Sequence, residues 1–183
     1  MKTNEISYRV LTASDSKDYR DIRLESLKLY PQSYGGGRFS YEEQVKLPKL
    51  MFERAFEGQM EDRFVIGAFD NDTLIGISGF VPHVPEEGQP QVGNAGMIIQ
   101  VYVKAEYRGR KIGLALTNIT IDEAFKMDGI DQIILGVKKG NITALRVYEQ
   151  AGFRIHEFKE NETNDIHEDV IWMFLKHDKY NKI

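Results

Sequence analysis

Cysteine is absent from the 183 residues. That excludes disulfides, thiolate metal sites and cysteine nucleophiles, and it suits a reducing compartment. Long apolar runs are missing too: none approaches the roughly 20 residues that cross a bilayer as a helix. Residues 1–10 alternate polar and apolar side chains without an apolar stretch, so they do not read as a signal peptide. A soluble cytoplasmic protein with no membrane partner is expected, in which the sequons Asn141-Ile142-Thr143 and Asn161-Glu162-Thr163 carry no sugar. There is no basic excess either. The net charge is −4, which disfavours non-specific nucleic-acid binding. No internal repeat, low-complexity tract or linker divides the chain. GxxxxGK[ST] and GxGxxG are both absent, which removes the P-loop and Rossmann readings. The histidines His83, His156, His167 and His177 make no metal-ligand spacing, and no metal is expected.

What is present is ordinary for a globular protein: 42% hydrophobic and 28% charged residues. The length fits one compact domain over 1–183 that can bury a core without staples. Residues 6–10 read as a first strand. Thr12-Ala13-Ser14-Asp15 resembles a capping box, opening a helix with Tyr19, Ile22, Leu27 and Tyr30 at helical spacing that Pro31 stops. Tyr34-Gly35-Gly36-Gly37 predicts a flexible loop. Ser40-Tyr41-Glu42-Glu43 is a second capping box, and Pro48 breaks the helix it opens before another runs to about Glu57. Strands then follow at 64–69 and 74–81, with a turn at Asp70-Asn71-Asp72 between them. A loop at 82–94 is rich in Pro, Gly and Glu. Next come a strand at 97–103, a helix at 111–127, a strand at 133–137 and a helix at 143–151 closed by Gly152 at C′. Strands at 153–158 and 170–175 flank a polar run at 159–169. This order is α/β with a mixed sheet, and 97–137 suggests a parallel crossover. The strand at 170–175 is apolar on both faces, so it is either fully buried or offers one face to a homodimer.

The segment with chemical content is Val101-Tyr102-Val103-Lys104-Ala105-Glu106-Tyr107-Arg108-Gly109-Arg110-Lys111-Ile112-Gly113. An apolar strand enters a cation-rich turn, and a helix starts at once. Helix N-termini present unpaired N–H groups and a positive dipole end, so phosphate is a natural occupant. Gly109 lets the backbone approach closely, and Arg108, Arg110 and Lys111 add charge. A plain βα turn with solvated charges is the alternative on this pattern alone.

Tyr107-Arg108-Gly109-Arg110-Lys111-Ile112-Gly113 resembles the acetyl-coenzyme A (acetyl-CoA) signature of the GNAT superfamily, Arg/Gln-x-x-Gly-x-Gly/Ala after the fourth strand. Arg108 takes the first position and Gly113 the last, while Lys111 stands where a glycine is usual. A second stretch, 137–153, is similar to the family's strand, Asn, helix and Gly-Phe pattern: Asn141 is placed like the residue that bonds the pantetheine arm, Tyr148 like the tyrosine beside the coenzyme sulfur, and Gly152-Phe153 like the helix exit. The resemblance covers most of the chain from Phe64 onward. It implies a mainly antiparallel sheet of about seven strands flanked by about four helices. Residues 1–62 would form the substrate side, 63–140 the coenzyme-binding sheet and helix, and 141–183 the C-terminal helix and strands.

By the same resemblance, the chain is an N-acetyltransferase that moves acetyl from acetyl-CoA, its acetyl-donor cosubstrate, directly to a primary amine. The coenzyme would contact Val101, Val103, Arg108, Gly109, Arg110, Lys111, Ile112, Gly113, Asn141 and Tyr148. A backbone N–H near Val103 would polarise the thioester carbonyl, and Tyr148 would protonate the leaving thiolate. The base stays open. Many family members have a carboxylate on the fourth strand, and 94–100 has none; Glu25, Glu42, Glu43, His83 or a water chain could serve. Glu25, Glu42, Glu43, Glu86 and Glu87 would surround the acceptor and suit a cationic amine. A polyamine, aminoglycoside-like compound, amino acid or protein N-terminus all fit. The loop at 82–94 is either a lid or disordered. The competing reading is a non-catalytic acetyl-CoA sensor.

Overall fold

The structure, a computed structural model, describes residues 5–34, 39–158 and 169–180. The predicted Gly35–Gly37 loop and most of the polar run at 159–169 lie outside them. Seven strands form one sheet in the hydrogen-bonded order β1-β2-β3-β4-β5-β7-β6. They are β1 (Ile6–Val10), β2 (Phe64–Asp70), β3 (Thr73–Pro82), β4 (Ala95–Val103), β5 (Gln132–Lys138), β6 (Arg154–Ile155) and β7 (Val170–Lys176). The helices among the described residues are α1 (Ser16–Leu29), α2 (Pro31–Tyr34), α3 (Tyr41–Gln44), α4 (Met51–Phe56), α5 (Ile112–Ala124) and α6 (Ile142–Gln150). The sheet is mixed: β4 and β5 are parallel, whereas β1–β2, β5–β7 and β6–β7 are antiparallel. Residue contacts resolve two compact units, Met1–Gly79 with Gln100–Leu116, and Phe80–Ile99 with Thr117–Ile183.

In the first unit, β1 pairs along its full length with Ile66–Asp70 of β2. The Thr12 box forms as expected, but it opens a 3-10 turn at Ala13–Asp15 before α1 begins. Asp15 accepts the Thr12 N–H at 2.8 Å and both terminal nitrogens of Arg9 at 2.7 Å. The spacing of Tyr19, Ile22 and Leu27 puts all three inside, each at most 2% exposed. Tyr19 meets Phe52 and Phe56 of α4 edge-on, with centroids 5.9 and 5.3 Å away. Full burial of an apolar side chain of this size contributes roughly 1.5–3 kcal/mol. Pro31 ends α1 and also opens α2, because a first helical position has no use for an N–H. Ser40 caps α3, its Oγ accepting the Glu43 N–H at 3.2 Å, and the chain breaks at Pro48 before α4.

In the second unit, the parallel ladder joins Ala95–Met97 to Gln132–Ile134. Gly96 is required there, since a Cβ would sit 2.0 Å from the Phe80 ring. β7 pairs with β5 on one edge and β6 on the other; Trp172, Met173 and Leu175 are buried, and Val170, Ile171 and Phe174 are half-buried. The strand expected at 153–158 shrinks to Arg154–Ile155. Phe153 is still leaving the helix, its N–H donating to the Tyr148 carbonyl at 3.0 Å, and the His156 N–H bonds Trp172 at 2.8 Å just past the strand. The loop between β3 and β4 is folded on itself. His83 Nε2 meets the Pro90 carbonyl at 2.9 Å, the Gln91 amide spans the Glu86 and Gln89 carbonyls, and Gln89 and Pro90 are buried.

Candidate active site

Within the first unit, the site begins at a kink. Gln100, inside β4, has φ 59, a left-handed conformation that a non-glycine residue adopts at a cost. Its side-chain oxygen accepts the Tyr19 hydroxyl at 2.9 Å, so α1 holds the kinked residue. Two residues on, the Tyr102 hydroxyl donates to Glu25 Oε1 at 2.7 Å. Burial pushes the Tyr102 hydroxyl upward in pKa, and the bonded carboxylate adds to the shift. Three tyrosines cluster here, with Tyr30, Tyr34 and Tyr102 centroids 5.4 to 6.3 Å apart. Burial raises Tyr34 to about 12. Tyr34 and Tyr102 stay protonated at neutral pH, and Tyr102 acts as a donor.

Beyond Val103 the chain bends through Ala105–Tyr107 and enters α5. Two left-handed residues, Gly109 (φ 77) and Lys111 (φ 60), bracket Arg110. This explains the usual glycine at position 111: the turn needs a positive φ, which glycine adopts freely and lysine does not. The first turn of α5 contains no acid. A Cβ added at Gly109 or Gly113 would meet nothing within 4 Å, so no neighbouring side chain crowds these two positions. The donor set suits a phosphate: amides at the positive end of a 13-residue helix beside exposed Arg110 and Lys111.

Arg108 turns its side chain toward the strand it follows. Its Nε donates to the Val103 carbonyl and its Nη1 to the Tyr30 hydroxyl, both at 3.0 Å, and the guanidinium lies 4.9 Å from the Tyr30 centroid. The charge is committed to the strand end and the tyrosines. The other expected residues sit as follows. Val101 and Val103 are half-buried on β4, and Ile112 is buried in α5. In the second unit, Asn141 caps α6, its Oδ1 accepting the Ala144 N–H at 3.2 Å. Tyr148 is half-buried on α6 with its ring edge-on to Phe153, 6.1 Å away.

The candidate bases separate clearly. Glu42 is exposed, Glu43 is used in capping Ser40, and His83 is buried against Pro90. Glu86 and Glu87 are exposed. Glu25 alone of the expected acids joins the tyrosine cluster. Two cations stand near the same tyrosines: Arg108, and Arg23, which is 3% exposed and donates to the Tyr34 carbonyl at 3.2 Å. The kink at Gln100, the tyrosine cluster and the buried Arg23 were missed. Tyr30 and Tyr34, four residues apart across Pro31, were the one available signal. No group of three or more potential metal ligands occurs among the described residues.

A model of the acetyltransferase (GNAT) family matches residues 25–153. The chain belongs to the GNAT family. The match runs from Glu25 of α1 to Phe153, and so includes the kinked strand, the entry to α5 and all of α6. The mycothiol acetyltransferase of Thermobispora bispora is 36% identical to this GNAT chain over 81 residues, 44% of the chain and 26% of the relative. That of Rhodococcus erythropolis is 32% identical over 108 residues, 57% and 35%. The chain thus spans about a third or less of these relatives' length. Among solved structures, PaiA N-acetyltransferase of Thermoplasma acidophilum, in complex with coenzyme A, aligns with TM-score 0.65 at 22% identity, covering 94% of this chain and 99% of the other. YncA of Salmonella typhimurium, a putative acetyltransferase with acetyl-CoA, aligns with TM-score 0.69 at 17% identity, covering 98% of each. Both likenesses establish the GNAT fold. No helix among the described residues is long and apolar enough to cross a membrane.

Proposed function

We propose that this chain is an acetyl-CoA-dependent N-acetyltransferase acting on a primary amine. The observation that carries the reading is the entry to α5. In a chain matched by the GNAT family model, left-handed Gly109 and Lys111 lead from β4 into a helix whose positive N-terminal end suits a pyrophosphate. The amides of 109–113 would hold the phosphates, with Arg110 and Lys111 adding charge. Arg108 acts differently, by fixing the end of β4 through Val103. The backbone of Val101 and Val103 would hold the pantetheine arm. Because the Asn141 carbonyl oxygen caps α6, its amide nitrogen is the group left for that arm.

The chemistry follows from the reactants. An alkylammonium, with a pKa near ~10.4, has no lone pair until it loses a proton. The free amine then forms a C–N bond to the thioester carbonyl carbon, the C–S bond breaks, and sulfur leaves as thiolate. A β4 amide near Val103 stabilises negative charge on the carbonyl oxygen. Tyr148 is the proposed donor of the proton that sulfur takes up. This reading places the protein in the cytoplasm, where acetyl-CoA is available. Calorimetric titration with acetyl-CoA tests it: saturable binding at one site per chain is expected, and no binding would refute it.

A further inference from the structure

GNAT chemistry needs a group that takes the amine proton, and here the kinked strand supplies no carboxylate. Gln100 occupies the kink, and its side-chain oxygen already accepts the Tyr19 hydroxyl. A carboxylate nevertheless reaches β4. Glu25, half-buried on α1, is tethered to the strand by Tyr102 through one oxygen. Around Tyr102, which holds it, stand Arg108 in the following turn, Tyr30 at the C-cap of α1 and Tyr34 on α2. Among the described residues, no lysine or arginine forms an ion pair with Glu25. Arg108 is instead engaged by Val103 and Tyr30. Tyr102 is the donor to Glu25, and burial raises the pKa of both Tyr102 and Tyr34.

We infer that Glu25 is the general base of the proposed reaction, delivered from α1 rather than from β4 and aimed by Tyr102. The assignment rests on the acetyltransferase reading. The substrate ammonium gives one proton to the Glu25 carboxylate, which passes it to solvent, and the nitrogen keeps the electron pair. That pair forms the bond to the acetyl carbon, the C–S bond breaks, the acylated nitrogen loses its second proton to Glu25, and Tyr148 protonates the thiolate. Both protons leave Glu25 to solvent and solvent returns one to Tyr148, so each turnover releases one proton. Tyr102 is a positioning residue, since it acts through Glu25.

The experiment compares wild type, Glu25→Gln, Glu25→Ala, Tyr102→Phe and the control Glu61→Gln, at an exposed glutamate before β2. The probes are spermine, tobramycin, L-lysine and a peptide with N-terminal alanine, each with acetyl-CoA. Glutamine is isosteric and still accepts from Tyr102, so the fold is preserved. On whichever probe wild type acetylates, Glu25→Gln should lower kcat/KM about 10²- to 10⁴-fold near neutral pH while acetyl-CoA affinity, read by calorimetry, is unchanged. The deficit should narrow by about tenfold per pH unit as the free amine fraction rises toward its own pKa. Added formate should restore part of the rate in Glu25→Ala. Tyr102→Phe should lose kcat with little change in KM, and Glu61→Gln should match wild type. A Glu25→Gln rate equal to wild type, or a deficit that ignores pH and formate, overturns the assignment and leaves the acetyltransferase standing. Acetyl-CoA binding with no turnover of any probe by wild type overturns both.

Discussion

Arg108 turns its side chain back onto the strand it follows, donating from Nε to the Val103 carbonyl at 3.0 Å. Its second hydrogen bond, to Tyr30, locks α1 to the end of β4. In this chain the first signature residue hydrogen-bonds the backbone and Tyr30, and the exposed cations with no such bond to the strand end are Arg110 and Lys111. Charges that face phosphates make affinity fall with salt. Arg108→Gln should therefore keep the salt dependence of acetyl-CoA binding while losing about 1–2 kcal/mol of stability. Arg110→Gln should flatten that salt dependence. Calorimetry at low and high salt separates the two, and the reverse pattern would place the Arg108 charge on the coenzyme.

Lys111 pays for a backbone angle that its neighbour Gly109 adopts freely. At φ 60 the Cβ crowds the carbonyl, at a cost of about 1–2 kcal/mol, while glycine returns roughly half of the gain as unfolded-state entropy. Lys111→Gly should raise Tm by about 1–4 °C and weaken acetyl-CoA binding slightly through the lost charge. A lower Tm by thermal scanning would show that the lysine side chain makes up more than its strain.

Arg23 is a buried cation with no carboxylate paired to it among the described residues. Its hydrogen bonds go to the Tyr34 carbonyl at 3.2 Å and, at 3.5 Å, to Ser26. Burial depresses its pKa, the mark of a charge that costs energy to keep inside. Arg23→Met removes that charge at similar volume. Urea unfolding should find the variant as stable as wild type or more so, by up to about 3 kcal/mol. A loss of similar size would mean that the bond to Tyr34 outweighs the desolvation.

Tyr148 is assigned as the acid that protonates the leaving sulfur. Tyr148→Phe keeps the ring against Phe153 and removes only the hydroxyl. Steady-state kinetics should give a kcat lowered about 10²-fold or more with acetyl-CoA affinity within error of wild type. Unchanged kcat would return Tyr148 to a packing role.

Much of this was legible in the residues. Tyr19, Ile22 and Leu27 marked the inner face of α1, and Arg108 to Gly113 with Asn141 and Tyr148 pointed to the family because their order and spacing are tied to one strand–turn–helix. Three features were hidden for physical reasons. Gln100 gives no warning of φ 59, since only glycine and asparagine advertise left-handed positions. Glu25 lay among four equally plausible bases until Tyr102, 77 residues away, was seen to hold it. Arg23 reads on sequence as one more surface cation of a helix, and only tertiary packing buries it. The expected strand at 153–158 failed at its start, where Phe153 bonds back to the helix, an outcome of local capping that alternation of residue types does not encode.

The most direct test of the account is amine-dependent release of thiol from acetyl-CoA, followed with a chromogenic disulfide. The chain has no cysteine and adds no thiol background. The account predicts release that requires both protein and an amine, with mass spectrometry finding one acetyl group on the amine and none on the protein. Binding of acetyl-CoA with no release above the amine-free control would contradict it and leave a coenzyme sensor in its place.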